Sequence, residues 1–511
     1  MLLHGYVKTL LRIATFVFLL CFVRTEAGAL PQQGNDTELR SEVTQLQTEL
    51  AATKGQLSSA QEQIQQLRAE MQQIKSMIGA PGTAPQAAET AGTYPTLENA
   101  LKESKPIAAP SEDQQVLAAR VEEQAQTKVE SASRYKVRLS GLFLMNTYAN
   151  AGNVDITDLP NLTFPVPPNT PKGDFGATLR QSQIGLDVVG PRLAGATTGA
   201  SIQADFFGGF PDSNYGATYG LVRLRLATAY MDWKHTKLVA GQDSLFFSPQ
   251  SPTSYATLGE PAFAWAGNLW VWTPQIRVEH RWTLSDSSSL STQFGILDSL
   301  TEQEPPDYFE RVPTPGEQSR MPAFAWHGAW NSKLSGHDAT VGIGAYYGRQ
   351  AYSYHRNVDV WLASADYNLP LGSKLAWSGE VYRGRALGGI GGGIWNSILT
   401  NGDPSLPETS IIGMNDMGGW SQLKLMPAPK WEFNVAAGTD NPLASDIRRF
   451  PNPLGTYFAP LVRNQSIFVN SIYRPKANLL FALEYRHLRT YFLEPPKASA
   501  DHVNLAIGVS F

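Results

Sequence analysis

The pattern of apolar and polar positions changes period along the chain. Its first seam runs Leu39, Val43, Leu46, Leu50, Thr53, Leu57, Ala60, Ile64, Leu67, Met71, Ile74 and Ile78. These spacings alternate four and three, so every seam residue falls at a or d of a heptad. A 3.5-residue period makes a left-handed supercoil. Glu49 with Lys54, and Glu70 with Lys75, take g and the following e, which meet across chains in a parallel coil. The pattern predicts an α-helical coiled coil over 36–78, with the seam as an oligomerisation surface. Its a and d residues are mixed and leave dimer and trimer both open.

From Arg134 onward the period is two, and period two means a strand with two unlike faces. In YKVRLSGLFLMNTYA, Tyr135, Val137, Leu139, Phe143 and Met145 share one face, while Lys136, Arg138, Ser140 and Asn146 share the other. The same alternation predicts sixteen strands, near 135–149, 177–189, 199–208, 220–232, 236–246, 271–284, 289–298, 321–334, 338–349, 357–369, 373–384, 415–426, 430–439, 464–474, 478–491 and 501–511. Connections alternate between short turns and long loops. Short turns on one side and long loops on the other predict a transmembrane β-barrel of antiparallel strands. Tyr135, Trp282, Trp361, Tyr367, Trp431, Tyr473 and Phe511 fall near the short-turn ends, as an interfacial aromatic girdle would. The ending DHVNLAIGVSF alternates to its last residue, as expected if the final strand pairs with the first and closes the wall.

Residues 79–110, rich in Ala, Pro, Gly and Thr, read as a flexible linker. Ser111, followed by Glu112 and Asp113, suits the start of a short helix over 111–133. At the N-terminus, Lys8 and Arg12 precede the apolar run ATFVFLLCFV and the small-residue site Ala27-Gly28-Ala29, which predicts an export signal over 1–29. That run is about half the roughly 20 residues a membrane helix needs. Cys21 is the single cysteine and lies in the signal, so a mature chain would have no disulfide, thiolate metal site or cysteine nucleophile.

The net charge is -4, yet residues 134–511 sum to zero, so the acidity belongs to the N-terminal segment. No basic stripe suggests nucleic acid. The eight histidines show no metal-ligand spacing, and no nucleophile–base constellation is visible. Neither enzyme chemistry, a cofactor nor a metal is expected.

The N-terminal coiled coil, RQSQIGLDVVGP (Arg180 to Pro191), KLVAGQDSLFFSP (Lys237 to Pro249) and the aromatic terminal strand resemble the DcaP-type trimeric porins and, more distantly, the phosphate-selective porins. This organisation covers the mature chain, while the motifs cover those short patches. Gln183 stands where the family's pattern has a basic residue. The resemblance implies a homotrimer of sixteen-stranded barrels in the outer-membrane lipid of a Gram-negative-type bacterium, with the N-terminal segment in the periplasm. It implies passage of small solutes, often organic acids or other anions. It also implies that Phe511 is a signal for the barrel-assembly machinery.

Strand parity points Lys136, Arg138, Arg223, Arg225, Arg277, Glu279, Arg281, Glu484 and Arg486 into the lumen, with Asp187, Asp205, Asp366 and Glu380. Charged rings in a lumen tune selectivity; the structural alternative is cross-strand ion pairing. Arg223 and Arg225 sit in a stretch whose alternation reads in either register. The third long loop, Phe247 to Trp270, is expected to fold inward, as in trimeric porins, with Tyr255 and Glu260 at a constriction. Two functions follow: a passive diffusion channel for small hydrophilic solutes, or an envelope tether in which the barrel anchors the coiled coil. ALGGIGGGIW, Ala386 to Trp395, lacks the Lys-Ser/Thr ending of a phosphate loop. Arg448-Arg449, in a later long loop, reads as a pair of solvated charges.

Overall fold

The computed structural model describes residues 136–210, 220–299, 312–334, 336–449, 461–493 and 497–511. The export signal, the coiled-coil seam, the linker, the 111–133 helix and Tyr135 lie outside the described residues.

The wall begins with β1 (Lys136–Ala151), whose outer loop carries a small ladder of β2 (Asn153–Val154) and β3 (Thr163–Phe164). The second wall strand is interrupted, as β4 (Gly173–Thr178) and β5 (Gln183–Leu193). A meander follows: β6 (Ala196–Asp205), β7 (Arg223–Asp232), β8 (Thr236–Ser244), β9 (Trp272–Ser285), β10 (Ser288–Leu297), β11 (Ala323–Leu334), β12 (His337–Tyr352), β13 (Arg356–Pro370) and β14 (Leu375–Arg385). The next outer loop holds a ladder of β15 (Ile398–Thr400) and β16 (Ile411–Gly413). The circuit ends with β17 (Asn415–Ala428), β18 (Trp431–Pro442), β19 (Leu461–Lys476), β20 (Leu479–Phe492) and β21 (Ala498–Ser510). With β4 and β5 counted as one, sixteen antiparallel strands form the wall. It closes because β1 pairs with β21 on one side and with β4 and β5 on the other. Closure leaves no edge strand, the condition for a sheet to cross a membrane.

The burial pattern is inside out relative to a soluble sheet. Val503, Leu505, Ile507 and Val509 are exposed, while Asn504, Ala506 and Ser510 between them are buried. On β18, Trp431, Phe433 and Val435 point out, and Glu432, Asn434 and Ala436 point in. An exposed apolar band around a polar interior is the sorting that lipid outside and water inside require. Trp431 stacks on Tyr473 with ring centroids 4.5 Å apart, and Tyr367 meets Trp377 edge-on at 4.7 Å, both near short turns. Trp361 departs from the expected girdle. It pairs with Tyr347 and Arg385, nearer the long-loop end of β13. Counting strand direction from the turns, rather than proximity to a loop boundary, assigns it to the opposite rim.

The terminal residue is fixed by the seam. Phe511 N–H donates to Gly141 O at 3.0 Å and its carbonyl accepts from Gly141 N–H at 2.9 Å. A Cβ at position 141 would collide with the Phe511 ring, so the glycine is the seat of that ring.

Candidate functional site

The segment from Leu245 to Trp270 leaves the top of β8 and turns into the barrel, where most of it is buried. Its apolar start packs inward: Phe247 lies 5.2 Å from Tyr346 between ring centroids, and its carbonyl accepts from Ser364 Oγ at 3.0 Å. Polar groups then meet inward-facing wall residues in turn. Ser248 Oγ donates to Glu380 at 2.7 Å, and Thr253 N–H to Gln422 Oε1 at 2.7 Å. Ser254 Oγ donates to Glu484 at 2.6 Å, and the Tyr255 carbonyl accepts from Asn146 Nδ2 at 2.8 Å. The return limb packs Phe263 on Phe468, 5.1 Å between centroids. Gly438 allows this approach, because a Cβ there would strike Ala266 O and the Phe263 ring. The loop is therefore bonded to β1, β13, β14, β17 and β20, and its position is set by the wall.

The interruption of the second wall strand supplies another anchor. Between β4 and β5 the chain leaves the ladder, and Ser182 Oγ takes its place, accepting from Leu144 N–H at 3.0 Å and donating to Leu144 O at 3.2 Å. The break turns Gln181 and Arg180 inward. Gln181 Nε2 donates to Ala256 O at 2.9 Å, and its Oε1 accepts from the N–H groups of Leu258 and Gly259. Arg180 forms a two-pronged pair with Asp158, at 2.5 and 3.0 Å, and its guanidinium lies 4.0 Å from the Phe207 ring centroid.

A bulge settles the ambiguous register of β7. Gln203 pairs with Leu226 and Ala204 with Leu224, which leaves Arg225 without a partner in the ladder. The bulge switches parity, so Arg223 and Arg225 both face inward while Leu224, Ala227 and Ala229 face out. Both guanidiniums converge on one carboxylate, Asp205, at 2.7 and 3.2 Å. Arg223 also donates to Gly259 O, and Arg225 to Leu258 O at 2.6 Å. Both lie over the Trp272 ring, at 4.9 and 4.6 Å. Two cations on one anion leave one net positive charge beside the inserted loop.

Above them sits a pair of carboxyls. Glu260 accepts from Asn161 Nδ2 at 2.6 Å, and Asp155 Oδ1 accepts from the N–H groups of Asn161 and Leu162, each at 3.0 Å. Burial, helped by the negative charge of Asp155, pushes Glu260 up to about 7 against the opposing pull of Asn161, Arg223 and Arg180. Burial likewise raises Asp155 to about 6, against its backbone N–H donors. For a carboxyl raised on folding, the folded chain holds an extra proton between the ordinary value and the raised one. Its stabilising contribution is full below about pH 4.5 and is lost as pH rises toward 7. The contact between the first and third long loops is therefore firmest in acid. Amide exchange at Asn161 and Leu162 is expected to accelerate from pH 5 to 8 beyond the intrinsic rate, and Glu260→Gln, which keeps an acceptor for Asn161, to flatten the rise. Equal slopes in both proteins would remove the carboxyl pair from the account.

The other sequence candidates are placed as follows. Lys136 is exposed at the short-turn end. Arg138 faces inward opposite Asp187. Arg277 lies between Asp243 at 2.7 Å and Glu279 at 2.8 Å. Arg281, four residues further along β9 toward the short turn, is exposed. Glu484 and Arg486 pair at 2.7 Å and are covered by the loop, Arg486 being 1% exposed. They brace the loop and do not line open space. Tyr255 meets Arg474, whose Nη2 donates to its hydroxyl at 3.4 Å. Arg474 and Lys424 share Glu432, at 2.9 and 3.6 Å, a second surplus of positive charge that parity reading omitted. Lys424, between Leu423 and Leu425, was readable by alternation; Arg474 lies where β19 ends in a bulge. Phe511 sits at the seam as described above. In the Gly-rich stretch, the N–H groups of Gly393 and Ile394 donate to Asp416 at 2.8 Å and Asp440 at 3.0 Å, so internal carboxylates take the place a phosphate would fill. Arg448 and Arg449 end a short helix, Ala444–Arg449, and both are exposed.

A closed sixteen-stranded wall with its third long loop folded inside is a porin-type barrel. In particular, the fold is similar to that of the outer-membrane channel DcaP of Acinetobacter baumannii, at a TM-score of 0.55 and 15% identity over 75% of this chain and 99% of that one. An anion-selective porin from Comamonas acidovorans matches at 0.46 and 10% identity over 74% of this chain and 100% of that one. OprB of Pseudomonas putida matches at 0.46 and 12% over 77% and 97%. No protein-family model and no curated protein matches the chain.

Proposed function

We propose that this protein is a passive diffusion channel of the outer membrane for small hydrophilic solutes, with a preference for anions such as organic acids. The observation that carries the preference is the convergence of Arg223 and Arg225 on the single carboxylate Asp205, at the point where the inserted loop meets the wall. Elsewhere Arg277 is bracketed by two carboxylates and Arg486 is neutralised by Glu484, while Arg474 and Lys424 on Glu432 add a second surplus of the same sign. The surplus at Asp205 therefore weighs more than the zero net charge of residues 134–511. Arginine suits planar carboxylates because its donors form a fork.

The likeness to the DcaP barrel supports the outer-membrane location and the channel class. A homotrimer with the 36–78 coiled coil on the periplasmic side, joined through the 79–110 linker, fits the heptad seam. Recognition of Phe511 by the barrel-assembly machinery fits the exposed terminal ring. The test is conductance and reversal potential of the purified protein in a planar bilayer under a KCl gradient, repeated with dicarboxylates. Discrete channels with a reversal potential of anion-selective sign are expected. Absence of conductance would end the channel reading, and cation-selective sign would end the preference.

A further inference from the structure

The outward face of β17–β20 carries a feature that lumenal passage does not use. Strand register sets Val381, Gly419, Thr439, Gln465 and Arg489 side by side on one outward rung. Ser421, Ala437, Ile467 and His487 stand on the next rung toward the short turns. The small side chains in the middle leave a groove of about 790 Å³ in the outer wall. Met417, Val381 and Tyr367 form one lip, and Arg463, Arg489 and His487 the other. Two polar atoms in its lining are buried without a partner, Arg489 Nε and Thr439 Oγ1. Arg463 is exposed, with Nε donating to Asn441 Oδ1 at 2.8 Å.

The charge around the groove is one-sided. Five arginines occupy outward positions at the long-loop end of the wall: Arg349, Arg383, Arg385, Arg463 and Arg489. Among the described wall strands, the outward carboxylates are Asp359 and Asp501. Asp359 is taken by Arg349 at 2.8 Å, and Asp501 by His487 and Tyr485 at 2.7 Å each. An outward arginine is strongly disfavoured at the bilayer midplane and nearly free of cost near an interface, so this belt marks the headgroup level. A second copy of the chain would need free outward carboxylates to answer Arg463 and Arg489, and the described outward face offers none. The occupant that fits is an anion with an apolar tail.

We propose that the groove is a docking site for a phosphorylated membrane lipid. Its phosphate would engage Arg463 and Arg489, using the unpartnered Arg489 Nε and the Thr439 hydroxyl, and an acyl chain would lie over Ile467, Val381 and Met417. Guanidinium and phosphate make charge-assisted, two-pronged bonds. The proposal rests on the membrane-spanning reading alone, not on what the lumen passes.

The test is native mass spectrometry of the delipidated full-length protein titrated with bis-phosphorylated lipid A, with its dephosphorylated form, and with inorganic phosphate as competitor. Tight retention of the phosphorylated lipid is expected, weakened about tenfold or more by R463Q/R489Q. Ala437→Leu, which fills the groove without altering charge, is expected to weaken it as well. Both variants should keep wild-type conductance and heat-dependent gel mobility, which establishes that the barrel is intact. Equal retention of the dephosphorylated lipid would overturn the phosphate contact. Full displacement by inorganic phosphate at equal concentration would make the site one for free phosphate and overturn the lipid. A crosslink from Gln465→Cys to a neighbouring protomer, with no lipid retained, would make the groove a subunit contact and overturn the proposal outright.

Discussion

Deletion of Ser251–Glu260 is expected to raise single-channel conductance about twofold or more, because a constriction sets the resistance of a pore. The structure shows why the deletion can be made cleanly. Asn268 Nδ2 donates both to Ser251 Oγ at 3.1 Å and to Ala262 O at 2.9 Å, so the segment leaves and returns at one point. It is a compact loop with neighbouring ends, of the kind that can be excised. What it takes away is a set of partners for Asn146, Gln181, Gln422 and Glu484. A buried polar group left unpaired costs about 1–3 kcal/mol. Here removal of the loop admits water to the same groups, so most of that cost does not arise. The expected outcome is a wider channel in a barrel that still folds, read by conductance and by thermal unfolding together. Unchanged conductance would sink the constriction role.

Much of the wall was legible because its physics is local. Alternation such as that of Val503, Leu505, Ile507 and Val509 needs no knowledge of the rest of the chain, and the sixteen strands fall where period two places them. The second strand is the exception. Alternation predicts one run over 177–189, whereas the ladder breaks between Thr178 and Gln183. The break depends on Ser182 replacing backbone groups on β1, a long-range bond that no window of sequence contains. The same holds at β7. Either register was open, because the bulge that orients Arg223 and Arg225 is set by pairing with β6. In the site, the sequence identified charges by parity but not their pairing. Arg486 and Arg223 look alike along the chain; one is neutralised under the loop and the other shares its carboxylate with a second cation. The motif beginning at Arg180 stands out through family likeness, and the structure gives it a physical part: Gln181 binds the third long loop and Arg180 the first.

Neutralising the arginine pair is expected to produce the largest change in selectivity. An ion passing about 8 Å from one elementary charge in a water-like dielectric feels about 0.5 kcal/mol, with opposite sign for anion and cation. Each arginine is then worth about fivefold in the anion-to-cation permeability ratio. With both present, the cluster on Asp205 carries one net positive charge. Arg225→Gln should bring it to zero, and R223Q/R225Q should leave Asp205 uncompensated and turn the site negative. Reversal potentials under a KCl gradient should therefore shift in two steps of the same sign. The glutamines keep donors for the carbonyls of Leu258 and Gly259, which limits movement of the loop. An Asp205→Asn variant discriminates charge from position, since it removes the shared anion while both guanidiniums keep their loop carbonyls and their seat on Trp272. It should shift the reversal potential the opposite way, toward anions. If all three variants move it in one direction, the effect comes from loop displacement and not from the fixed charge.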